Sequence, residues 1–260
     1  MVPEISIGPL TLQTFGLMFA FAFIVGGALA YKRFQELGKP GDWAYEAVFS
    51  ALIGGIVGAR LYWLLENLDS SDGFFSTLFS GSGLTWYGGA IGGALGVLLW
   101  AKWRDYLNLK LVDVAAPALA AGYAVGRIGC QLSGDGDYGK PWDGPWAMGY
   151  PDGVVPTPPG VEVHPTPVYE TLVMGLGAFI LWHLRDRFRF GILFAIYLMY
   201  AGTERFLVEF LRNNDRIALG LSEAQFLSLA MITAGLVWIL TVKKREGTLA
   251  RPPEQQLPPA

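Results

Sequence analysis

Seven runs of mostly apolar residues, each near the roughly 20 needed to cross a bilayer as a helix, decide what this sequence can become. They extend approximately over Leu12 to Ala30, Tyr45 to Leu65, Leu84 to Trp100, Val112 to Leu132, Pro167 to Leu184, Gly191 to Leu211 and Leu221 to Val242. The third is short and rich in glycine. Lipid offers no hydrogen-bond partner to a backbone, so runs of this length are expected as helices. The predicted fold is therefore an all-α polytopic membrane protein of seven transmembrane helices. Composition agrees, with 16% charged residues against about 25% in soluble domains, 34 glycines and nine tryptophans. One cysteine excludes an internal disulfide and a multi-thiolate metal site, and no basic stripe suggests nucleic acid. Neither a metal nor a cofactor is expected.

The cations give the orientation. Lys32, Arg33, Lys39, Lys102, Arg104, Lys110, Arg185, Arg187, Arg189, Lys243, Lys244, Arg245 and Arg251 follow the odd-numbered spans, whereas only Lys140, Arg212 and Arg216 lie on the other side. Cytoplasmic loops collect Lys and Arg, so the N-terminus is expected outside and the C-terminus in the cytoplasm. The first run has no preceding cation and reads as a retained span rather than a cleaved signal. Residues 1–250 are expected to form one membrane domain with an outer loop at about 133–166. Residues 251–260 are expected to be a disordered cytoplasmic tail.

Three arginines remain, and all fall within even-numbered spans: Arg60, Arg127 and Arg205. With the assigned orientation each lies in the outer half of its helix. A cation at the bilayer centre costs roughly 2.5 to 3.5 kcal/mol, so three at similar depth need a reason. One is simple pairing, for which Glu66, Glu170, Glu204 and Glu209 are near enough in sequence. The other is a polar pocket for an anion, and guanidinium forks fit phosphate, which points to a phospholipid headgroup. The glycines before Arg60 and Arg127, and the series Gly88, Gly89, Gly92, Gly93 and Gly96, read chiefly as surfaces for close helix packing. Asp135 and Asp137 do not have the spacing of a calcium loop.

Several motifs, in order along nearly the whole chain, resemble the bacterial prolipoprotein diacylglyceryl transferases. They are ISIGPLTLQTFGLMF (Ile5 to Phe19), GARLYW in the second span, WYGGAIGG (Trp86 to Gly93), GRIGCQLSGDGDYG (Gly126 to Gly139), HPTPVYE (His164 to Glu170), ERFLVEFLR (Glu204 to Arg212) and LSEAQFLSLAMI in the seventh. The resemblance implies a seven-helix protein of the bacterial inner membrane whose site faces the outer leaflet. It implies transfer of the diacylglyceryl group of phosphatidylglycerol to the lipobox cysteine of a preprolipoprotein signal peptide, with release of glycerol phosphate. It also implies that Arg127 and Arg205 handle the headgroup; Arg60, Gly139 and His164 are further candidates for binding it.

The chain departs from that family pattern at Tyr87, where the family has histidine, at Cys130, where it has asparagine, at Phe15, where it has tyrosine, and at Ser133-Gly134-Asp135, where it has Asn-Gly-Glu. Tyr87 keeps a hydroxyl but is a weak base at neutral pH. Either another group takes the thiol's proton or the activity has changed. Asp135 and Glu209 are the favoured acceptors because each is a carboxylate near the arginines; Asp137, His164 and Glu170 are the others. His164, before Pro165, fits a loop anchor equally well, and Cys130 fits a small packing residue better than a nucleophile. Two other readings stay open: a relative acting on a different acceptor, and a non-enzymatic phospholipid-binding or transport protein. A retinal protein is excluded, since the seventh span holds no lysine before Lys243.

Overall fold

The computed structural model describes residues 1–67 and 85–256. Its elements are a hairpin of β1 (Glu4–Ile7) and β2 (Leu10–Gln13), followed by the helices α1 (Thr14–Glu36), α2 (Trp43–Glu66), α3 (Trp86–Trp103), α4 (Leu109–Ser133), α5 (Thr166–Leu184), α6 (Ile192–Val208) and α7 (Glu223–Glu246). These seven long helices coincide with the seven apolar runs. Five of them, α1, α2, α4, α5 and α7, are long and apolar enough to cross a membrane, as in a multi-pass membrane protein.

Three details correct or bound the sequence reading. The chain is not wholly helical, because the residues before the first span pair as strands in the register Glu4 with Gln13 and Ile7 with Leu10. The sixth helix stops at Val208 rather than Leu211, since the next backbone is taken up elsewhere: Lys140 N–H donates to the Leu211 carbonyl at 2.7 Å and Gly139 bridges Arg212. Leu84, the expected start of the third span, lies outside the described residues.

The chain divides into two compact units. In the unit Ala30–Leu111, α2 and α3 run antiparallel along a glycine seam. A β-carbon on Gly58 would lie 2.6 Å from the α-carbon of Gly92, and one on Gly92 would lie 2.7 Å from that of Gly58. Only glycine allows backbones so close, and dispersion between them replaces the hydrophobic effect that lipid does not supply. At one end of the pair Phe34, Trp43, Trp100 and Tyr106 pack edge to face, beside Glu46, which accepts from Trp100 Nε1 at 2.8 Å and Arg104 Nε at 2.7 Å. At the other end Thr85 Oγ1 donates to the Ala59 carbonyl at 3.2 Å and starts α3.

The second unit joins Met1–Leu29 to the chain from Val112 onward. Its core is small and apolar: Ala116, Ala120 and Ala124 of α4, Met174, Ala178 and Leu181 of α5, and Leu193 and Ala201 of α6. The buried Asp113 of α4 accepts from the backbone N–H groups of Gly191 at 2.8 Å and Phe194 at 3.0 Å, so a neighbouring helix satisfies the free donors at the start of α6. The α6 and α7 helices approach closely at Gly202, where a β-carbon would be 2.8 Å from the Ser228 carbonyl. Ser222 opens α7 with a capping box completed by Gln225. The loop between α4 and α5 is tied to itself and to the end of α6: Gly139 N–H donates to His164 O at 2.8 Å, and His164 N–H donates to Lys140 O at 3.1 Å.

Candidate headgroup site

Where α4, α5 and α6 meet this loop, three guanidinium groups interleave with three carboxylates. Arg127 stands on the next-to-last turn of α4, Glu170 in the first turns of α5, Arg205 on the last turn of α6, Glu209 just after that helix, Arg212 one turn further, and Asp137 in the loop. Arg127 is ion-paired with both Asp137 and Glu170. Arg205 Nη1 lies 2.7 Å from Glu209 Oε2 and 3.9 Å from Glu170 Oε1. Arg212 pairs with Asp137 and reaches Glu170 at 3.5 Å and Glu209 at 4.0 Å. The Tyr123 hydroxyl accepts from Arg127 Nη2 at 3.1 Å and donates to Glu170 Oε2 at 3.2 Å.

Glu170 and Glu209 are fully buried, at 0% exposure, whereas the side chains of Arg127 and Arg205 keep 15% and 24%. Glu170 and Glu209 therefore act as the fixed backing of the cluster, with Arg212 at 8%, while Arg127, Arg205 and Asp137, the last at 31%, form its more accessible face. Buried charges persist only when paired and hydrogen-bonded, which explains the alternation of sign. A guanidinium has five N–H donors, so Arg127 and Arg205 keep donors for a second anion after binding their carboxylates. Of the two alternatives in the sequence, the pairing is what the arrangement shows, and it does not use up the guanidinium donors.

Other expected residues are placed differently. Asp135 lies beside the Cys130 thiol and accepts from the Asp137 N–H at 3.3 Å. Burial and the adjacent Asp137 charge push its carboxyl above the usual range. For Asp137 burial acts upward too, but the Arg127 and Arg212 guanidiniums outweigh it and hold the group at about 2. Glu209 is committed to Arg205 and accepts from Asn214 Nδ2 at 2.8 Å. The His164 ring stacks on Trp142 with centroids 4.4 Å apart, and its Nδ1 is 3.4 Å from the Tyr169 hydroxyl. Burial lowers its pKa. His164 thus lines an apolar groove of about 550 Å³ with Trp142, Trp146, Val168, Tyr169 and Leu172. Gly139 is pinched, since a β-carbon there would be 2.6 Å from the Leu211 carbonyl and 2.9 Å from His164 Cβ.

Arg60 and Tyr87 belong to the other unit. Arg60 is buried, with its guanidinium 5.3 Å from the Trp63 ring centre, and Tyr87 is half-buried on the first turn of α3. Among the described residues Cys130, Asp135 and Asp137 place ligand atoms within 4.8 Å of one another. A cation there would have to displace the two guanidiniums on Asp137 and the proton of the Cys130 thiol.

The model of the family described as prolipoprotein diacylglyceryl transferase matches residues 4–241. The chain belongs to that family. Among curated members, the phosphatidylglycerol–prolipoprotein diacylglyceryl transferase of Clostridium tetani is 32% identical over 87% of this chain and 92% of its own length. The proteins of that name from Bordetella avium and Vibrio vulnificus are each 33% identical over 92% of the chain, and over 94% and 90% of their own lengths. Within the transferase family match, Arg212 is the cluster member that the sequence reading passed over, because a cation beyond the end of a span counts as a loop charge. The run Arg205, Glu209, Arg212 at spacings of four and three was the available signal, since it places all three on one side of a helix turn.

Proposed function

We propose that this protein transfers the diacylglyceryl group of phosphatidylglycerol to the thiol of a lipobox cysteine in a preprolipoprotein, forming a thioether and releasing glycerol phosphate. The observation that carries the reading is the Arg127, Arg205 and Arg212 cluster, backed by Glu170, Glu209 and Asp137, in a chain of this family. A thiolate attacks carbon and phosphate departs, so negative charge grows on the phosphate. Guanidinium donors already fixed by buried carboxylates stabilise that charge without reorganising.

All seven helices cross the bacterial inner membrane in this reading, with the N-terminus outside, the C-terminus in the cytoplasm and the cluster facing the outer leaflet. The 17 residues of α6 are the shortest span and sit at the lower limit for crossing. The lopsided distribution of Lys and Arg supports the orientation.

Membranes containing the protein, supplied with phosphatidylglycerol and a synthetic lipobox peptide, are expected to yield the diacylglyceryl thioether by mass spectrometry. Arg127→Ala is expected to lower the rate at least about 100-fold, the loss typical of removing a fixed donor to developing charge. Absence of thioether alongside an active family member, or full activity of the variant, would overturn the proposal.

A further inference from the structure

One buried acid is left over from the ion pairs of the cluster. Glu204 lies on the inward face of α6, in line with the buried Ala201 and Val208, and is 8% exposed. It sits in the field of Glu170, Arg127, Arg205 and Arg212, and near the Tyr123 and Tyr200 hydroxyls. Among the described residues it accepts no hydrogen bond and closes no ion pair. The three arginines are already balanced by Asp137, Glu170 and Glu209, so an ionised Glu204 would add an unmatched charge where an anionic headgroup must bind.

We propose that Glu204 is a catalytic acid that delivers its proton to the departing phosphate; this rests on the transferase reading above. The sulfur–carbon bond forms, the carbon–oxygen bond of the phosphodiester breaks, and its electron pair stays on the phosphate oxygen. Glu204 protonates the phosphate as it leaves, so the product departs as a monoanion. The proton given up by the thiol, passed through solvent, restores Glu204 to its acid form. Charge in the cluster then rises by less than it would with a dianionic leaving group.

The test uses the full-length protein in phosphatidylglycerol vesicles with a lipobox peptide, measuring kcat and KM across pH. Wild-type kcat is expected to fall on the alkaline side as the acid is lost. Glu204→Gln is expected to lower kcat about 100-fold, the lower end of what a general acid supplies, with KM for phosphatidylglycerol unchanged and the alkaline fall abolished. Glu204→Asp is expected to recover part of the rate. A Glu204→Gln protein with wild-type kcat and pH profile, or with raised KM alone, overturns the role. If that variant does not fold, infrared spectra of the lipid-bound wild type decide: a protonated-carboxyl band shifted by Glu204→Asp supports it, and no such band overturns it. A wild type that makes no thioether at any pH fails the transferase reading itself, a different outcome from an active wild type indifferent to Glu204.

Discussion

Between α2 and α3 the contact is backbone against backbone, with Gly58 and Gly92 leaving nothing else at the crossing. Where α4, α5 and α6 meet the long loop, the contact is charge against charge, with Arg127, Arg205 and Arg212 threaded among Asp137, Glu170 and Glu209. Both arrangements hold helices together without relying on apolar burial, which lipid makes ineffective between spans. They differ in what a change does. The glycine seam is indifferent to pH and salt and intolerant of volume, whereas the charged cluster depends on every member staying ionised.

The largest expected effect breaks the charged side. Glu170→Ala leaves Arg127 and Arg212 short of a buried partner and is expected to cost about 3 kcal/mol or more, read as a lowered midpoint of thermal unfolding in detergent. A midpoint within error of wild type would show that the cluster is held by something other than its ion pairs. Next comes the neutral side: Gly92→Leu forces a side chain into the Gly58 backbone and is expected to cost roughly 1 to 3 kcal/mol, with the loss equal at low and high salt. Salt dependence would mean that the seam is not what the substitution disturbs.

The smallest effect sharpens the contrast through pH. The Asp137 carboxyl is lowered to about 2 in the folded protein, against about 3.9 unfolded. A depressed carboxyl stabilises fully above its unfolded value, and that stabilisation drains away as pH falls through the folded one. Between about pH 4 and pH 2 the wild type is therefore expected to lose about 1 to 2 kcal/mol of stability that Asp137→Asn never had, while Gly92→Leu keeps the wild-type slope. Unfolding midpoints of the three proteins across that range provide the check.

How legible these regions were follows from the same distinction. The helices could be read because length and hydropathy are enforced by the bilayer, and the error at α6 arose where a loop backbone pairs with residues 211 and 212, which hydropathy does not register. Arg127 and Arg205 stood out because a cation within an apolar run is costly. Arg212 did not, because just past the run it costs nothing visible. The two loop aspartates were readable as candidates but not as a division of labour: among the described residues only Asp137, and not Asp135, closes ion pairs with Arg127 and Arg212. The hairpin of residues 4–13 was hidden because short strands leave little periodicity.

Asp113 ties α4 to α6 well away from the arginines. It secures the start of α6 from one end of α4, while Arg127, on the same helix, meets the end of α6 through Glu170 and Arg205. Two bolts through one beam, 14 residues or about 21 Å apart on α4, fix how far α6 slides along its axis. A genetic screen for lost lipidation is then expected to recover alleles at Asp113 that mimic damage to the arginines.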